Sequence, residues 1–134
     1  MKDGMDLAEH CVEYGLEKGC SYVEARYVEQ VIRGLAYRNG QPVSGGMTPS
    51  SGVGVRVLVD GNMGFASFDR LEKGLAERAM TTAMKMASNG KRDVPIDLGE
   101  PVTNKATWKT KAKEPLEDVS IEDMMETASQ LNKQ

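Results

Sequence analysis

Apolar side chains near the start of the chain recur at steps of three and four residues, and this spacing predicts a helix. The helix is expected to begin at Asp3 or Asp6 and to end at Lys18, just before Gly19, a residue type that commonly ends helices in a left-handed conformation. The residues of its apolar face are Leu7, Ala8, Cys11, Val12, Tyr14 and Leu16. From Val23 the apolar positions change to a period of two, which is typical of a strand with one buried face.

The middle of the chain predicts an antiparallel meander of strands. Asn39-Gly40 and Asp60-Gly61 favour tight type I′ turns, because both central residues of that turn need a positive φ. Between these turns, the alternating valines of residues 53–59 predict a strand, and residues 62–68 predict the strand that returns beside it. Residues 21–68 are therefore expected to form three or four antiparallel strands.

Two parts of this meander depart from a regular strand pattern. Residues 21–38 are longer than an average strand, so a bulge or bend is expected near Glu29 to Gly34. Pro42 and Gly45-Gly46 weaken the partner strand and predict a loose, edge-like stretch through Met47 to Ser51. Such an edge offers unpaired backbone groups to another strand.

A second helix is expected after the meander. Residues Asp69 to Glu72 fit a capping box, whose side chains bond the free amides of a helix start, and Asn89-Gly90 fits the helix end. The expected apolar stripe consists of Leu71, Leu75, Ala79, Thr82 or Ala83, and Met86. Met84 lies off this stripe and is expected to be exposed. The methionines of the later helices favour core filling, with an adaptable contact surface as the alternative.

The pattern weakens after Lys91. Residues 91–119 contain three prolines and are interpreted as a loop, with one short strand expected around Trp108. Residues 120–134 predict a terminal helix opened by Ser120. The residues expected on one side of that helix are Ile121, Met125, Ala128 and Leu131. Residues 1–134 are thus expected to form a single α+β domain, with an antiparallel meander sheet of about three to five strands and two to three helices packed on one face.

The composition of the 134 residues excludes several classes of protein. The chain has 17 Lys and Arg against 20 Asp and Glu, and no apolar run approaches the roughly 20 residues that span a bilayer. Charged residues occupy Met1 to His10, where a secretory signal needs an apolar core, so the cytoplasm is the expected location. The single histidine cannot build a zinc site of several imidazoles. Cys11 and Cys20 are too few for a disulfide scaffold and are expected to be reduced.

No catalytic, cofactor-binding or metal-binding residue is expected in this chain. His10 and Cys11 are helical neighbours whose side chains point about 100° apart, so we expect a solvated histidine and a packed cysteine instead of a nucleophilic pair. Gly52-Val53-Gly54 lacks the third glycine of a dinucleotide-binding loop and continues as a strand. Its glycines are expected to let another backbone or a helix approach the sheet closely.

Arginines on the predicted strands give the one candidate contact surface. Arg56 lies between valines in the middle of a strand, so it must face solvent or an interface, and it predicts a basic strip on the outer sheet surface that binds a carboxylate, a peptide or a partner chain. The other members of this strip are Arg26, Arg33 and Arg38. The alternative is a solvated face with cross-strand pairs to Glu24 or Glu29. The remaining basic residues are spread without interleaved aromatics, which argues against nucleic acid.

Several runs of residues follow one another in a distinctive order. They are Asp6 through Ala8-Glu9, Gly15-Leu16-Glu17-Lys18-Gly19, Tyr22-Val23-Glu24-Ala25-Arg26-Tyr27, Arg38-Asn39-Gly40, Ser51 to Gly61, and Gly64-Phe65-Ala66-Ser67. In content and order these runs resemble the N-terminal domain of the TldD/PmbA family. The resemblance covers residues 5 to about 88, so that residues 1–90 form the well-matched core, and it extends only loosely over the tail to Gln134.

The resemblance implies a role for this chain but no chemistry. Members of the family are described as modulators of DNA gyrase and as peptide-maturation proteases, and the catalytic ones are zinc metalloproteases that enclose a substrate chamber as dimers or heterodimers. Their His-Glu-x-x-x-His ligands lie in a C-terminal domain, so zinc is implied only for that domain, and this chain is expected to stop before it. On its own the chain is expected to be inactive.

The resemblance also implies partners. We expect a family-type C-terminal domain or a partner subunit, in a homo- or hetero-oligomer that holds a peptide substrate. No membrane is expected to take part. The alternative is a stand-alone interaction module without enzymatic activity, which pairs through its sheet edge or a methionine-bearing helix with a catalytic chain or with itself.

Overall fold

The computed structural model describes residues 4–100 and 102–132. The elements in chain order are α1 (Gly4–Glu17), β1 (Tyr22–Arg38), β2 (Gln41–Val59), β3 (Asn62–Phe68), α2 (Lys73–Ser88), a short 3-10 turn (Leu116–Asp118) and α3 (Ile121–Leu131). The strands form one three-stranded antiparallel sheet in the order β1-β2-β3. The predicted α+β fold with a meander sheet is confirmed. A start of the first helix at Asp3, and an end of the last helix beyond Asn132, lie outside the described residues.

Both predicted turns have the expected backbone. Asn39 and Gly40 have φ values of 52° and 76°, and Asp60 and Gly61 have 49° and 72°. These left-handed pairs match the twist of the strands that they join. Gly19 ends α1 with a φ of 89°, as its position predicts.

The two long strands are continuous. β1 runs over 17 residues, so the bulge or bend expected near Glu29 to Gly34 does not interrupt it and stays a prediction, and β2 runs over 19 in spite of Pro42, Gly45-Gly46 and Pro49. The predicted loose stretch through Met47 to Ser51 is therefore regular strand. The ladder between β2 and β3 extends from Val53 opposite Phe68 to Val59 opposite Asn62. Prolines are tolerated in the earlier part of β2 because that part has β1 on one side and lies beyond the β3 ladder.

The described residues group into two compact units. The first consists of residues 4–30 and 50–100, and the second of residues 31–49 and 102–132. β1 and β2 each contribute residues to both units. The single domain over residues 1–134 stays a prediction, because the division into two compact units does not test whether each unit folds independently.

The core of the first unit lies between one face of the sheet and the helices α1 and α2. Val53, Val55 and Val57 are buried on this face, together with Leu7 from α1 and Met80 from α2. Burying such side chains is the main favourable contribution to folding, at roughly 25 cal/mol per Å² of apolar surface. The opposite sheet face is left to solvent, because successive strand residues point to opposite sides.

The buried face of α2 differs from the predicted stripe. Its buried residues are Ala76, Ala79, Met80, Ala83 and Ala87. Leu71 and Met86, predicted to be buried, are exposed, and Met84, predicted to be exposed, packs against the core. The reason is close approach: a Cβ added at Gly64 of β3 would collide with the carbonyl oxygen of Ala83, so only small side chains fit along this contact.

The predicted capping box is also wrong. α2 begins at Lys73, and Glu72 is its N-cap without a side-chain hydrogen bond. The amide of Glu72 donates to the carbonyl of Arg70 at 2.8 Å, and this tight turn places Asp69 before the helix start. Within the described residues, no helix is long and apolar enough to cross a membrane.

The second unit contains α3, whose N-terminus is as predicted. The hydroxyl of Ser120 accepts a hydrogen bond from the amide of Asp123 at 3.0 Å. The apolar side of α3 differs from the predicted one. Ile121 and Leu131, which belong to the predicted side, are exposed, whereas Met124, which does not, is half-buried. The strand expected around Trp108 does not form, because residues 102–112 have no regular structure and Trp108 is 83% exposed. A single aromatic residue among lysines does not form a strand when no edge of another strand lies beside it to pair with.

Candidate functional site

The outer face of the sheet in the first unit carries two of the four predicted arginines, Arg26 and Arg56. Arg56 lies near the end of β2 between the buried Val55 and Val57, so its side chain must point away from the helices. Arg26 lies on the same face of β1, and Phe65 lies opposite Arg56 on β3. Phe65 is 52% exposed, which is unusual for a large aromatic side chain in the middle of a strand.

Glu24 holds two of these arginines together. Its carboxylate is 3.4 Å from a guanidinium nitrogen of Arg56 and 3.8 Å from one of Arg26. The hydroxyl of Tyr22 donates to the same carboxylate at 3.2 Å. Partial burial raises the pKa of Tyr22, the hydrogen bond to Glu24 and its negative charge raise it further, and Arg56 lowers it. The pairing with Glu24 matches the solvated alternative for this face, and a role in binding stays a prediction.

The other arginines of the predicted strip lie in the second unit. Arg38 is exposed at the end of β1, beside the Asn39-Gly40 turn. Arg33 is not part of an outer strip, because its Nη1 donates to the carbonyl oxygens of Leu116, Glu117 and Val119 at 3.2, 3.5 and 3.2 Å. Sequence reasoning grouped Arg33 by residue type, whereas its odd position in β1 puts it on the opposite face from Arg38.

A groove of about 580 Å³ lies on the first unit, where β1, β2 and β3 run side by side. Its lining residues include Gln30, Ser50, Gly52, Gly54 and Ser67. A Cβ added at Gly52 would lie 2.9 Å from the carbonyl oxygen of Phe68, so this glycine does allow a close backbone approach, as predicted. Gly54 differs, since a Cβ added there would lie 3.5 Å from the ring of Phe65, which is an ordinary contact distance. The groove therefore has a floor of bare backbone, with hydroxyl and amide groups and the carboxylate of Asp69 on its sides, and the ring of Phe65 lies beside it.

Among the described residues, the side chains around His10 do not fit a zinc ion, which the family resemblance implies only for the C-terminal domain. His10 is half-buried instead of solvated, and its Nε2 lies 3.3 Å from Oε1 of Glu77. The ammonium of Lys73 lies 3.7 Å from the same oxygen, which places a positive charge where a metal would need a further ligand. Among residues 4–100 and 102–132, no three His, Cys, Asp or Glu side chains come together as a metal site.

The two cysteines are free and buried in the first unit. Burial raises the pKa of the Cys11 thiol to about 11, and it also raises the pKa of Cys20. Burial therefore disfavours, at both cysteines, the thiolate form that binds metals or attacks substrates. The packed Cys11 agrees with the expectation from its helical position.

The raised pKa of Cys11 predicts a loss of stability in alkali. The unfolded chain releases this proton near its ordinary value of 9.0, whereas the folded chain keeps it up to about 11, so the free energy of unfolding should fall between these two pH values. Urea unfolding followed at about pH 8 and about pH 10 measures this fall. Cys11→Ala should show a smaller fall than the original chain. An equal fall in both proteins would show that burial does not act on this thiol.

Comparisons with known proteins agree with this architecture. A family model described as PmbA/TldA metallopeptidase domain 1 matches residues 23–87, which contain nearly all of the sheet and α2. The crystal structure of TldE from Thermococcus kodakarensis is similar with a TM-score of 0.62 and 25% sequence identity. The match covers 85% of this chain and 25% of TldE, so the chain spans about a quarter of that protein's length. No curated protein matches the chain.

Proposed function

We propose, on the premise that this chain contains an N-terminal domain of the TldD/PmbA family, that it is a non-catalytic part of a zinc-metalloprotease assembly. In that assembly it contributes to a substrate chamber and to subunit contacts. The observation that supports the proposal is the match over residues 23–87, because these residues build the sheet whose outer face carries an exposed aromatic ring, two arginines and a groove. A domain of this kind points to partner domains or subunits in an assembly.

The chemistry of the outer face suits an extended peptide. The groove exposes strand backbone at Gly52 and Gly54, and Phe65 offers an apolar contact beside it. Arg26 and Arg56 keep 76% and 47% of their side chains exposed while Glu24 holds them in place. An arginine ordered in this way binds a carboxylate at a lower entropic cost than a mobile lysine. The proposed peptide contact is therefore strongest for peptides with acidic side chains.

Binding of a short, unstructured, acidic peptide to the full chain tests this face. Arg56→Ala should weaken the affinity about tenfold, since a hydrogen bond between charged groups is lost. Its effect on the free energy of unfolding should stay below about 1 kcal/mol, because the ion pair with Glu24 is exposed. Fluorescence anisotropy of the labelled peptide measures the affinity.

Arg70→Ala is the matched control for the peptide experiment. Arg70 is 71% exposed, pairs with Glu72 at 3.9 Å and does not line the groove. Equal affinities of the two variants would contradict a peptide contact at Arg56, and so would equal binding of an acidic peptide and a basic peptide of the same length.

The second candidate function is a stand-alone interaction module that pairs through its sheet edge. It is favoured by the register of the sheet, since β3 pairs only with Val53–Val59 and the earlier part of β2 is exposed. An exposed strand of this length is a template for another strand. In this reading Val43→Lys should weaken self-association, whereas Val94→Lys, at another exposed valine, should not. Light scattering that finds a monomer at every concentration would contradict this candidate.

We further propose that zinc binding, peptide maturation and modulation of DNA gyrase belong to the whole family assembly. The cytoplasmic location stays a prediction from the first ten residues.

A further inference from the structure

An apolar groove of about 690 Å³ lies within the second unit. Its apolar lining consists of Val31, Ile32, Met47, Leu116, Val119 and Met124. Most of these side chains are far from buried, since Ile32 is 57% exposed and Leu116 is 81% exposed. Among the described residues of this unit none is fully buried, so the unit has no closed core of its own. Leaving this much apolar surface in water is unfavourable, and a partner that covers it would gain binding energy.

The rim of this groove is acidic. Glu117 lines the groove itself, and Asp123 lines the adjoining surface along α3. Asp118, Glu122 and Glu126 follow in the same stretch of chain and are exposed. The cation in the lining, Arg33, already donates to three backbone carbonyls. These bonds hold its flat guanidinium in place, and the face of a guanidinium can stack on an aromatic ring.

The same unit carries a segment of opposite character. Trp108 is 83% exposed, and the residues around it include Lys105, Lys109, Lys111 and Lys113 without an acidic residue between them. Residues 102–112 form neither helix nor strand. An exposed indole is the side chain most often found as a binding anchor, because it buries a large apolar area with few rotatable bonds.

We propose that the occupant of the groove is the Trp108 segment of a second copy of this chain. The indole of one copy enters the apolar groove of the other and stacks on Arg33, while the flanking lysines pair with Glu117 and Asp123. Charge complementarity supports this assignment, because the lysines of the segment match the acidic rim and the indole matches the apolar groove inside that rim. Because each copy has both halves, two copies related by a twofold axis exchange segments reciprocally and close as a dimer.

The inference deepens the proposed role in subunit contacts and rests on it. It assigns that contact to the groove and the Trp108 segment, and not to the β2 edge. The Trp108 segment and half of the groove lining lie outside residues 23–87. In the described conformation the indole is exposed, so the chain does not fill its own groove.

Trp108 is the only tryptophan, so its fluorescence reports on this contact alone. The emission maximum of the full chain should move to shorter wavelength as the protein concentration rises, in step with dimer formation in sedimentation velocity. Added salt should weaken both effects, because the lysine pairs are exposed. Trp108→Ala should weaken dimerisation at least about thirtyfold, the loss expected for a central aromatic anchor.

Two further variants locate the contact. Met124→Glu should abolish the fluorescence shift while leaving Trp108 in place, because it puts a charge in the apolar groove. Mixing Trp108→Ala with Met124→Glu should restore part of the dimer, since the first variant keeps an intact groove and the second an intact indole. Val94→Glu, at an exposed valine of the first unit, is the control and should behave as the original chain.

Several results would overturn the inference. If the chain is a monomer and Trp108 emits at short wavelength at every protein concentration, the chain fills its own groove. A dimer that Trp108→Ala and Met124→Glu leave unchanged would place the contact elsewhere, for example at the β2 edge, and would leave the proposed subunit role intact. A monomer with fully exposed emission at every concentration would contradict both the inference and self-association as a subunit role.

Discussion

Gly64→Ala is expected to destabilise the first unit by about 3 kcal/mol or more, a large part of the 5–15 kcal/mol that holds a typical domain together. A Cβ at this position would collide with the backbone carbonyl of Ala83, and a backbone atom cannot move aside as a flexible side chain can. α2 would have to move away from β3, which opens the small-residue contact along Ala83 and Ala87. The urea midpoint, or the loss of a cooperative transition, measures the effect.

Gly74→Ala is the matched control for this substitution. Gly74 lies in the first turn of α2, and a Cβ added there meets nothing within 4 Å. Because alanine has the higher helix propensity, this variant should be neutral or gain up to about 1 kcal/mol. If Gly64→Ala were as stable as Gly74→Ala, α2 would not cross β3 at the distance described.

Met80→Ala is expected to cost about 2–5 kcal/mol, since Met80 is fully buried and its removal leaves a cavity. Its terminal methyl group fills the space beside Gly15 of α1, where an added Cβ would lie 2.5 Å away. The cavity would therefore open between the two helices and the sheet, where the surrounding backbone can relax only in part. Thermal or urea unfolding of the full chain measures the loss.

Met86→Ala separates the observed orientation of α2 from the one that the sequence predicts. Met86 is 54% exposed, so its replacement should change the free energy of unfolding by less than about 0.5 kcal/mol. The predicted stripe would bury Met86 instead. A larger loss for Met86→Ala than for Met80→Ala would therefore restore the sequence-based orientation and contradict the structure.

Much of the fold could be predicted because local rules determine it. Asn39-Gly40 and Asp60-Gly61 have the positive φ values that their turn type requires, and Ser120 caps α3. The buried valines Val53, Val55 and Val57 follow directly from a period of two. In each of these cases a few neighbouring residues contain the whole signal.

The orientation of α2 could not be predicted because its cause lies elsewhere in the chain. Ranking by size favours Leu71 and Met86 for the core, whereas Gly64 requires alanines at the crossing point. Only the pairing of the helix with that particular strand residue decides between the two faces. The same limit applies to α3, where Met124 and not Met125 lies toward the hairpin residues of its own unit.

The candidate site was predictable in part. Arg26 and Arg56 lie on the outer sheet face that strand alternation assigns to them, but their shared contact with Glu24 needs the register of β1 against β2. Arg33 was grouped with them by residue type, and its bonds to three carbonyls some eighty residues later have no local signal. The exposed Phe65 was missed, although an aromatic residue diagonal to a strand glycine is a recognisable pattern.

The central proposal is that this chain is a non-catalytic part of a metalloprotease assembly. The most direct measurement incubates the purified chain with zinc and an unstructured peptide, and follows the products by mass spectrometry with and without a chelator. The account predicts an intact peptide in both samples, because His10 lies against Glu77 and Lys73 occupies the position beside them. Cleavage that the chelator abolishes, and that His10→Ala also abolishes, would contradict the proposal.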